Sequence, residues 1–460
     1  MRTRIETELL LKIGPEHEGP IYLQVERGLR DAVRSGRLRQ GTPLPSTRTL
    51  ARDLRVSRGV IVEAYEQLIA EGYLEARTRA HTVVAAGANR IAAARRQPPP
   101  VAPRFDFRAG IPDLGLFPRQ AWMRAVRRAL RDLTPADLSY NDAQGTAVLR
   151  EGLSDYLRRV RGVQASPESM LICNGFTQAL GLTLQVLRAR GLKRLALEDP
   201  CHPDVWRFAA DNGVVPVGVA VDEHGLMADR LERAQAQAVL LTPAHQFPLG
   251  GVLPADRRQQ VLAWARRHQA FVIEDDYDAE YRYNRQPVGA MQGVSPDRVI
   301  YIGSASKILA PALRLGWLAA PSSLLPALAY HKRFADFGSP LLEQMAYAEF
   351  LRDGSLDRHL RRMRIIYRRR RDTLIGALAR RLPAWRPVGE AAGLHLVMTL
   401  PPGFTEQQVV QKAAARSIRV YPMRDYSQRR MKEPALVFGY GFLTEEHIER
   451  GIGELAMALS

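Results

Sequence analysis

Apolar residues recur every three or four positions early in the chain, and this spacing predicts three short amphipathic helices. The first helix ends near Gly36, and the second and third follow in tandem with only Arg55 and Val56 between them. The apolar positions are Val25, Leu29, Ala32 and Val33, then Leu50, Ala51 and Leu54, then Ile61, Ala64, Tyr65 and Leu68. Ser46 and Thr47 can cap the second helix, and Ser57 can cap the third. Tandem helices with so short a turn predict a helix-turn-helix.

The residues around this predicted motif indicate contact with DNA. In a helix-turn-helix, the second helix places its N-terminal residues against base edges in the major groove. Arg48, Ser57 and Arg58 lie at helix starts, where a guanidinium can reach a phosphate or a guanine. A two-stranded wing is predicted after the third helix, and it carries Arg77 and Arg79. The alternative is that these arginines only solvate the surface of a small domain.

From residue 170 onward, short apolar runs alternate with helical patterns, which predicts an α/β fold with a mostly parallel sheet. The runs are MLIC, RLALE, VVPVGVAV, AVLL, AFVIED, RVIYIGS and LGWLA. Ligands of such sheets bind where the strands end. One strand is followed by Gly175, Phe176 and Thr177, whose amides at a helix start can bind a phosphate. Another ends at Asp275 and Tyr277, a pattern that by itself also suits surface charge or a metal site.

A third strand end favours a cofactor site. It brings Ser304, Ser306, Lys307 and Arg314 within eleven residues. A lysine that bonds to an aldehyde cofactor needs a phosphate clamp nearby, and hydroxyl groups with a guanidinium provide one. A lone lysine is usually solvated, so the prediction depends on the combination of this strand end with the preceding Asp–Tyr strand end.

A shift in composition divides the chain, which at 460 residues is too long for one ordinary domain. Residues 86–104 lack apolar periodicity and contain three consecutive prolines. They predict a linker between a DNA-binding unit over residues 1–85 and a larger unit over residues 105–460. The 66 basic and 48 acidic residues give a net charge of +18, which favours a polyanionic partner.

Composition also narrows the class of protein. Hydrophobic residues at 46% and charged residues at 25% are typical of globular chains and exclude wholesale disorder. Cys173 and Cys201 are the only cysteines, which suits a reducing compartment. The sequence contains no recognisable signal peptide or membrane helix. We therefore expect a soluble, cytoplasmic protein that has no membrane partner.

The front unit resembles the GntR-type winged helix. The family pattern of Pro-Ser-x-Arg, then Leu-Ala-x-x-Leu-x-Val-Ser-Arg, is matched by Pro45, Ser46, Arg48, Leu50, Ala51, Leu54, Val56, Ser57 and Arg58. The wing tip departs from the family, because it reads Thr78-Arg79-Ala80-His81 where glycines are usual. The resemblance implies that the unit binds a double-stranded DNA operator.

Residues 105–458 resemble the fold-type I aminotransferases that use pyridoxal 5′-phosphate. The resemblance implies that Lys307 forms the internal aldimine, that Asp275 keeps the pyridine nitrogen protonated, and that Tyr277 hydrogen-bonds the phenolic oxygen. Asp275 is preferred to Asp276 on the family's Asp-x-Tyr spacing, since the two face opposite sides of a strand. The implied phosphate ligands are Ser304, Ser306, Arg314 and the amides of Gly175, Phe176 and Thr177.

Three further positions are assigned by the same resemblance. Tyr140 matches the tyrosine that crosses a dimer interface to the partner's phosphate, so a homodimer, with exchange of domains, is implied. His202 stands where an aromatic residue stacks on the cofactor ring, although it could also be a loop histidine with no role. His245 and Gln246 replace an asparagine-containing loop, and we expect one of them near the cofactor's phenolic oxygen.

A winged helix linked to such a domain resembles the MocR/GabR class of GntR regulators. The fold class is multidomain: a small α+β winged helix-turn-helix, then a large α/β aminotransferase-like domain with a small C-terminal α+β subdomain. The resemblance implies a regulator that senses pyridoxal phosphate, or an amino-group ligand such as an amine or amino acid, through Lys307. The alternatives are an active aminotransferase with an ancillary DNA-binding domain, and an interaction scaffold that has lost its cofactor.

Two local features bear on this choice. The strand EPALVFGYG has no arginine where aminotransferases hold the substrate carboxylate, and Arg419 and Arg424 lie at other positions. We therefore expect a vestigial aminotransferase domain. Residues 358–372 include eight arginines, and they predict either a solvated helix with Leu360, Met363, Ile366 and Tyr367 inward or a surface that neutralises DNA phosphates.

Overall fold

The structure is a computed structural model of the chain. The described residues are 13–14, 19–77, 81–86, 102–140, 142–283, 288–389, 391–429 and 431–460. They divide into two compact units, one that ends at residue 101 and one that begins at residue 102.

The N-terminal unit is a three-helix bundle with a short antiparallel hairpin. Its elements are α1 (Ile21–Arg34), α2 (Thr47–Leu54), α3 (Arg58–Ala70), β1 (Leu74–Ala76) and β2 (Thr82–Val84). The apolar positions that define its helices form one core, in which Val25, Leu29, Ile61 and Leu68 are fully buried. Because each helix turns one face toward this core, its buried apolar residues recur every three or four positions, which is the spacing that predicts the helices.

Two capping details set the helix-turn-helix. The Ser46 hydroxyl accepts a hydrogen bond from the Thr49 amide at 3.1 Å and so caps α2. Arg55 closes α2 in a left-handed conformation, with φ 55°, and turns the chain toward α3. Ser57 occupies the N-cap position of α3, but its side chain makes no capping hydrogen bond, so this part of the capping prediction is wrong.

The larger unit alternates strands and helices. Its first elements are β3 (Phe105–Asp106), α4 (Arg119–Asp132), α5 (Ala147–Arg161), β4 (Met170–Cys173), α6 (Phe176–Ala189), β5 (Arg194–Asp199), α7 (Pro203–Asp211), β6 (Val215–Asp222), β7 (Gly225–Leu226), α8 (Leu231–Ala234), β8 (Ala238–Leu241), α9 (Ala255–Arg267), β9 (Phe271–Asp276), β10 (Val299–Ser304) and β11 (Gly316–Ala319). They are followed by α10 (Leu325–Asp336), α11 (Leu341–Arg352), α12 (Ser355–Arg381), β12 (Arg386–Val388), β13 (His395–Thr399), α13 (Glu406–Ala414), β14 (Ile418–Arg419), β15 (Tyr421–Pro422), β16 (Ala435–Gly439) and α14 (Glu445–Leu459).

The main sheet, among the described residues, has the strand order β4-β11-β10-β9-β8-β5-β6-β7. The pairs from β10 through β9, β8 and β5 to β6 are parallel, whereas β11 is antiparallel to both neighbours. The mixed sheet therefore brings the ends of β4, β9 and β10 to one edge. Close packing there requires glycine, since a Cβ at Gly316 would lie 2.8 Å from the Gly175 Cα atom.

A second, antiparallel sheet forms the C-terminal subdomain, in the order β12-β13-β16-β15. The chain reaches it through α12, whose Leu360, Met363 and Tyr367 are buried while Ile366 is half-buried. The arginines at 361, 362, 368 and 369 on the opposite side of α12 are exposed. None of the helices in the described ranges combines the length and apolarity needed to cross a membrane.

Candidate functional site

Lys307 lies just beyond the end of β10, as predicted from the sequence. Its Nζ atom donates a hydrogen bond to the Gly110 carbonyl at 2.6 Å. Burial lowers the pKa of the Lys307 amine, and the nearby carboxylates of Asp275 and Asp278 act in the opposite direction. A lowered pKa raises the fraction of neutral amine, which is the nucleophilic form.

The two adjacent aspartates of β9 have different surroundings. Asp276 Oδ2 accepts hydrogen bonds from Arg161 Nε and from the Tyr301 hydroxyl, both at 2.6 Å, in a buried ion pair. Within the described residues, no hydrogen-bond partner meets the Asp275 carboxylate. Burial and the Asp276 charge raise the Asp275 pKa well above its usual range, while Lys307 lowers it. Asp276 is therefore committed to the scaffold, and Asp275 is available to a ligand.

Tyr277 belongs to a buried polar cluster at the same strand end. Its hydroxyl lies 3.0 Å from both Nδ1 and the carbonyl oxygen of His245. His245 Nδ1 also lies 3.1 Å from each carboxylate oxygen of Asp278. Gln246 instead donates to the carbonyl oxygens of Pro200 and Phe247. Of the two loop residues expected near the cofactor's phenolic oxygen, His245 is the one that contacts Tyr277, the residue assigned to that oxygen.

The predicted phosphate residues surround the start of α6. Gly175 has φ 87° and is the N-cap of that helix, so the amides of Phe176 and Thr177 open its first turn. The Arg314 guanidinium lies over this turn: it donates to the Asn174 carbonyl, and a Cβ at Gly175 would meet Arg314 Nη2 at 3.1 Å. Ser304 ends β10 and is buried, and Ser306 is half-buried. The residues predicted to bind phosphate thus come from the ends of two strands, β4 and β10, and from the turn that holds Arg314.

His202 and Tyr140 occupy more exposed positions. The His202 ring caps α7 by accepting from the Asp204 amide at 3.3 Å, and burial lowers its pKa. Its ring centroid lies 5.8 Å from that of Phe247. Tyr140 is 90% exposed and has its ring 5.8 Å from that of Phe337. Neither residue contacts Lys307 through a hydrogen bond in the described part of the chain.

Sequence reasoning missed Phe247 and Gly110. The ring centroid of Phe247 lies 5.9 Å from that of Tyr277 and 4.9 Å from that of His395, so Phe247 packs between these two rings. Gly110 supplies the carbonyl that accepts from Lys307 across 197 positions of sequence. The available signals were the position of Phe247 beside His245 and Gln246 and the glycine in the turn-like stretch after β3.

The arginine missing from the sequence of β16 is not replaced within that strand. β16 is buried along its length. The Arg419 guanidinium stacks over the Tyr421 ring at 5.6 Å, and the Arg424 side chain is 54% exposed beside Asp425. Neither of the two arginines considered from the sequence is therefore held at the strand position that aminotransferases use.

The winged-helix unit exposes the predicted DNA contacts that are described. Arg48, Ser57 and Arg58 are exposed at the starts of α2 and α3, and Arg58 Nε lies 3.4 Å from the Thr47 hydroxyl. Arg77 is exposed directly after β1. Arg79 lies outside the described residues. The arrangement leaves the N-terminal turn of α3 open to a groove.

Comparison with known proteins agrees with both units. The family described as bacterial regulatory proteins, gntR family, matches residues 21–84, and aminotransferase class I and II matches residues 105–432. The chain is 32% identical to the HTH-type pyridoxine biosynthesis transcriptional regulator PdxR of Corynebacterium glutamicum, over 98% of this chain and 99% of that one. It is 29% identical to the probable rhizopine catabolism regulatory protein MocR of Rhizobium meliloti, over 98% and 96%.

A solved structure supports the fold of the larger unit. LysN, an α-aminoadipate aminotransferase from Thermus thermophilus complexed with N-(5′-phosphopyridoxyl)-L-leucine, superposes with a TM-score of 0.69 at 28% identity. The match covers 77% of this chain and 92% of LysN. Fold and relatives define a DNA-binding transcriptional regulator built on an aminotransferase-type domain. The chain belongs to the MocR/GabR class of the GntR family.

Proposed function

We propose that this regulator binds pyridoxal 5′-phosphate at Lys307 and that occupancy of this site changes its affinity for operator DNA. The observation that carries the proposal is the half-buried Lys307 amine, whose pKa is lowered, beside the available Asp275 carboxylate, on a chain that also has a GntR winged helix. The effector is pyridoxal phosphate itself or an amino-group ligand that exchanges with Lys307.

The residues present fit this cofactor. The Gly175 turn and the Arg314 guanidinium form a cationic, amide-lined cradle into which even a Cβ atom would intrude. An acceptor carboxylate, Asp275, stands on the neighbouring strand end and suits a pyridinium nitrogen. When bound, the cofactor supplies an aldehyde carbon that bonds reversibly to amines.

Each protein group has a separate task in this proposal. Lys307 provides the amine, and burial lowers the pKa of that amine, which favours its neutral, nucleophilic form. Asp275 holds a proton on the ring nitrogen, and Tyr277, oriented by His245, faces the phenolic oxygen. The phosphate is held by Ser304, Ser306, Arg314 and the amides of Gly175, Phe176 and Thr177, with His202 over the ring.

We propose that the protein acts as a homodimer. Tyr140 is almost fully exposed, and Leu138, Phe334 and Phe337 add exposed apolar surface in the same unit. A second copy would cover such a surface, and Tyr140 would then reach the partner's phosphate site. Two winged helices in one dimer would serve two operator half-sites.

Vestigial rather than efficient transamination is the expected catalytic state. The buried strand β16 reads Ala-Leu-Val-Phe-Gly and offers no cation for a substrate carboxylate. Ligand exchange at Lys307 would then alter contacts without rapid turnover, and differential contacts are what shift a two-state regulator. Steady turnover of an amino donor and a keto acid would instead favour the active-enzyme alternative.

Reduction and peptide mapping test the cofactor site. The native chain is mixed with pyridoxal phosphate, reduced with borohydride and digested, and the phosphopyridoxyl label is located by mass spectrometry. We expect the label on Lys307 and none on Lys332, a buried lysine that is paired with Asp336 at 2.6 Å. Labelling elsewhere, or an unchanged visible spectrum, would contradict the proposal and favour a scaffold without cofactor.

A further inference from the structure

The stretch between β3 and Gly110 passes along the Lys307 site. Gly110 accepts the hydrogen bond of Lys307 at 2.6 Å, and Ala109 packs in one apolar cluster with Phe247 and Tyr426. A Cβ at Gly439 would lie 1.9 Å from the Arg108 carbonyl oxygen, so the backbone of this stretch is pressed against β16. The Arg108 backbone is therefore held two residues before Gly110, whose carbonyl accepts the hydrogen bond of the Lys307 amine.

The Arg108 side chain is oriented by Tyr421 of the C-terminal subdomain. Its Nε atom donates to the Tyr421 hydroxyl at 3.1 Å, and that hydroxyl donates to Asp106 at 2.7 Å. The Arg108 charge also lowers the pKa of Tyr426, against the larger effect of burial, so the two groups are close. The Tyr426 ring lies 5.6 Å from Phe247, which in turn borders Tyr277. These contacts connect Arg108, through Tyr426 and Phe247, to Tyr277 of the candidate site.

The guanidinium of Arg108 retains free hydrogen-bonding capacity. Its nearest carboxylate, Asp106, is 3.6 Å away, and the side chain is 51% exposed. No hydrogen bond from Nη1 or Nη2 is found in the described ranges. Arg429, by contrast, donates to the Gly218 carbonyl at 2.7 Å and faces Asp199 at 3.5 Å. Arg108 is the better placed of these two cations to take an added anion, because a guanidinium binds a carboxylate through two parallel N–H groups.

We propose that Arg108 binds the acid group of an amine ligand that reacts at Lys307, and so selects amino acids or amino sulfonates over simple amines. Arg108, in the stretch after β3, would bind the acid group of the ligand, a task for which β16 offers no arginine. The inference rests on the proposed function, since it requires the cofactor at Lys307.

Matched amines test the proposal with the full-length chain loaded with pyridoxal phosphate. Glycine, β-alanine and 4-aminobutyrate are each compared with the unbranched alkylamine of equal carbon number. Titration of the visible absorption gives an apparent Kd for each compound. The ratio of the two Kd values is then compared between variants, so that differences in amine basicity cancel.

We expect the native chain to prefer at least one acid-bearing amine by about 10- to 100-fold, the usual range for a charged hydrogen bond. Arg108→Gln removes this preference and leaves the alkylamine Kd within about twofold. Arg108→Lys retains part of it, because the charge remains without the bidentate geometry. The control Arg424→Gln, which alters a neighbouring exposed arginine, keeps the native ratio.

The outcomes separate the two proposals. A native chain with no acid preference, or a preference that survives in Arg108→Gln, overturns the role of Arg108 and leaves the cofactor site intact. A native chain that gains no visible band with pyridoxal phosphate overturns the proposed function, and this inference with it. The response to alkylamines reports folding of each variant, so a misfolded variant is recognised and Arg108→Lys then decides.

Discussion

At the residue scale, the neighbouring carboxylates of Asp275 and Asp276 in β9 have different surroundings. The alternation of side chains along β9 sends Asp276 to Arg161 and Tyr301 and leaves Asp275 facing Lys307. The Asp-x-Tyr spacing is visible in the sequence, and the family resemblance makes it favour Asp275 over Asp276. The partner Arg161 was not predictable, because it lies 115 positions away and only the folded sheet brings it to the strand.

Substitutions at these two aspartates should affect stability differently. Asp276→Asn leaves the Arg161 guanidinium, 1% exposed, without its counter-charge, and we expect a loss of about 3 kcal/mol or more. Asp275→Asn should change the stability of the cofactor-free chain by less than about 1 kcal/mol, since no described residue bonds to that carboxylate. Urea unfolding of both variants measures this, and equal losses would contradict the assignment.

Glu198 gives a prediction about pH. Burial raises the pKa of its carboxyl to about 7, although Thr242 donates two hydrogen bonds to it. The folded state therefore binds a proton that the unfolded state releases at lower pH, so this contribution to stability is lost as pH rises from about 4.5 to 7. Relative to Glu198→Gln, the native chain should lose about 3 kcal/mol between pH 4.5 and 8. Parallel pH dependence of the two unfolding free energies would contradict it.

At the scale of elements, local patterns predicted most strands and helices, and tertiary contacts decided the rest. The run MLIC is β4 without a change of boundary, because a buried strand leaves a continuous apolar run. Ser57 begins α3 as the pattern predicts, but its hydroxyl makes no cap. The ring contacts of Phe247 and the contact of the Arg108 backbone with β16 join residues that are far apart in the sequence. The local spacing of apolar residues therefore does not predict them.

The close contact between β16 and the stretch after β3 is testable. A Cβ at Gly439 would lie 1.9 Å from the Arg108 carbonyl oxygen, so Gly439→Ala must push the two backbones apart. We expect a loss of at least about 2 kcal/mol and a weaker acid preference at the ligand site. Thermal unfolding and the amine titrations measure both effects. The matched variant Gly289→Ala, whose Cβ would lie at an ordinary distance of 3.7 Å from its nearest neighbour, the Arg161 carbonyl oxygen, should leave the acid preference unchanged.

At the scale of the whole molecule, a strongly basic chain combines a small DNA-binding unit with a large unit of the aminotransferase class I and II family. The net charge of +18 predicts a polyanionic partner. The match of residues 21–84 to the gntR family indicates that this partner is DNA and that the winged helix binds it. The arginines exposed on α12 match the pattern of a solvated helix face with Leu360, Met363 and Tyr367 inward.

Salt dependence tests which arginines contact phosphate. Full-length protein is titrated with a duplex selected from a random DNA pool at several salt concentrations. Arg48→Gln and Arg58→Gln should each reduce the slope of log K against log salt by about one per half-site, provided that the side chain neutralises one phosphate. Arg37→Gln, an exposed arginine outside the predicted contacts, is the control. Equal slopes for all variants would exclude these contacts.

The most direct test of the account is a DNA-binding titration with and without pyridoxal phosphate, using the native chain and Lys307→Ala on the same selected duplex. We predict that the cofactor changes the native Kd by at least about fivefold, the lower end of ordinary coupling between two sites. The variant should bind DNA with a Kd that does not respond to the cofactor. A native Kd that ignores the cofactor, or a Lys307→Ala chain that responds fully, would contradict the central claim.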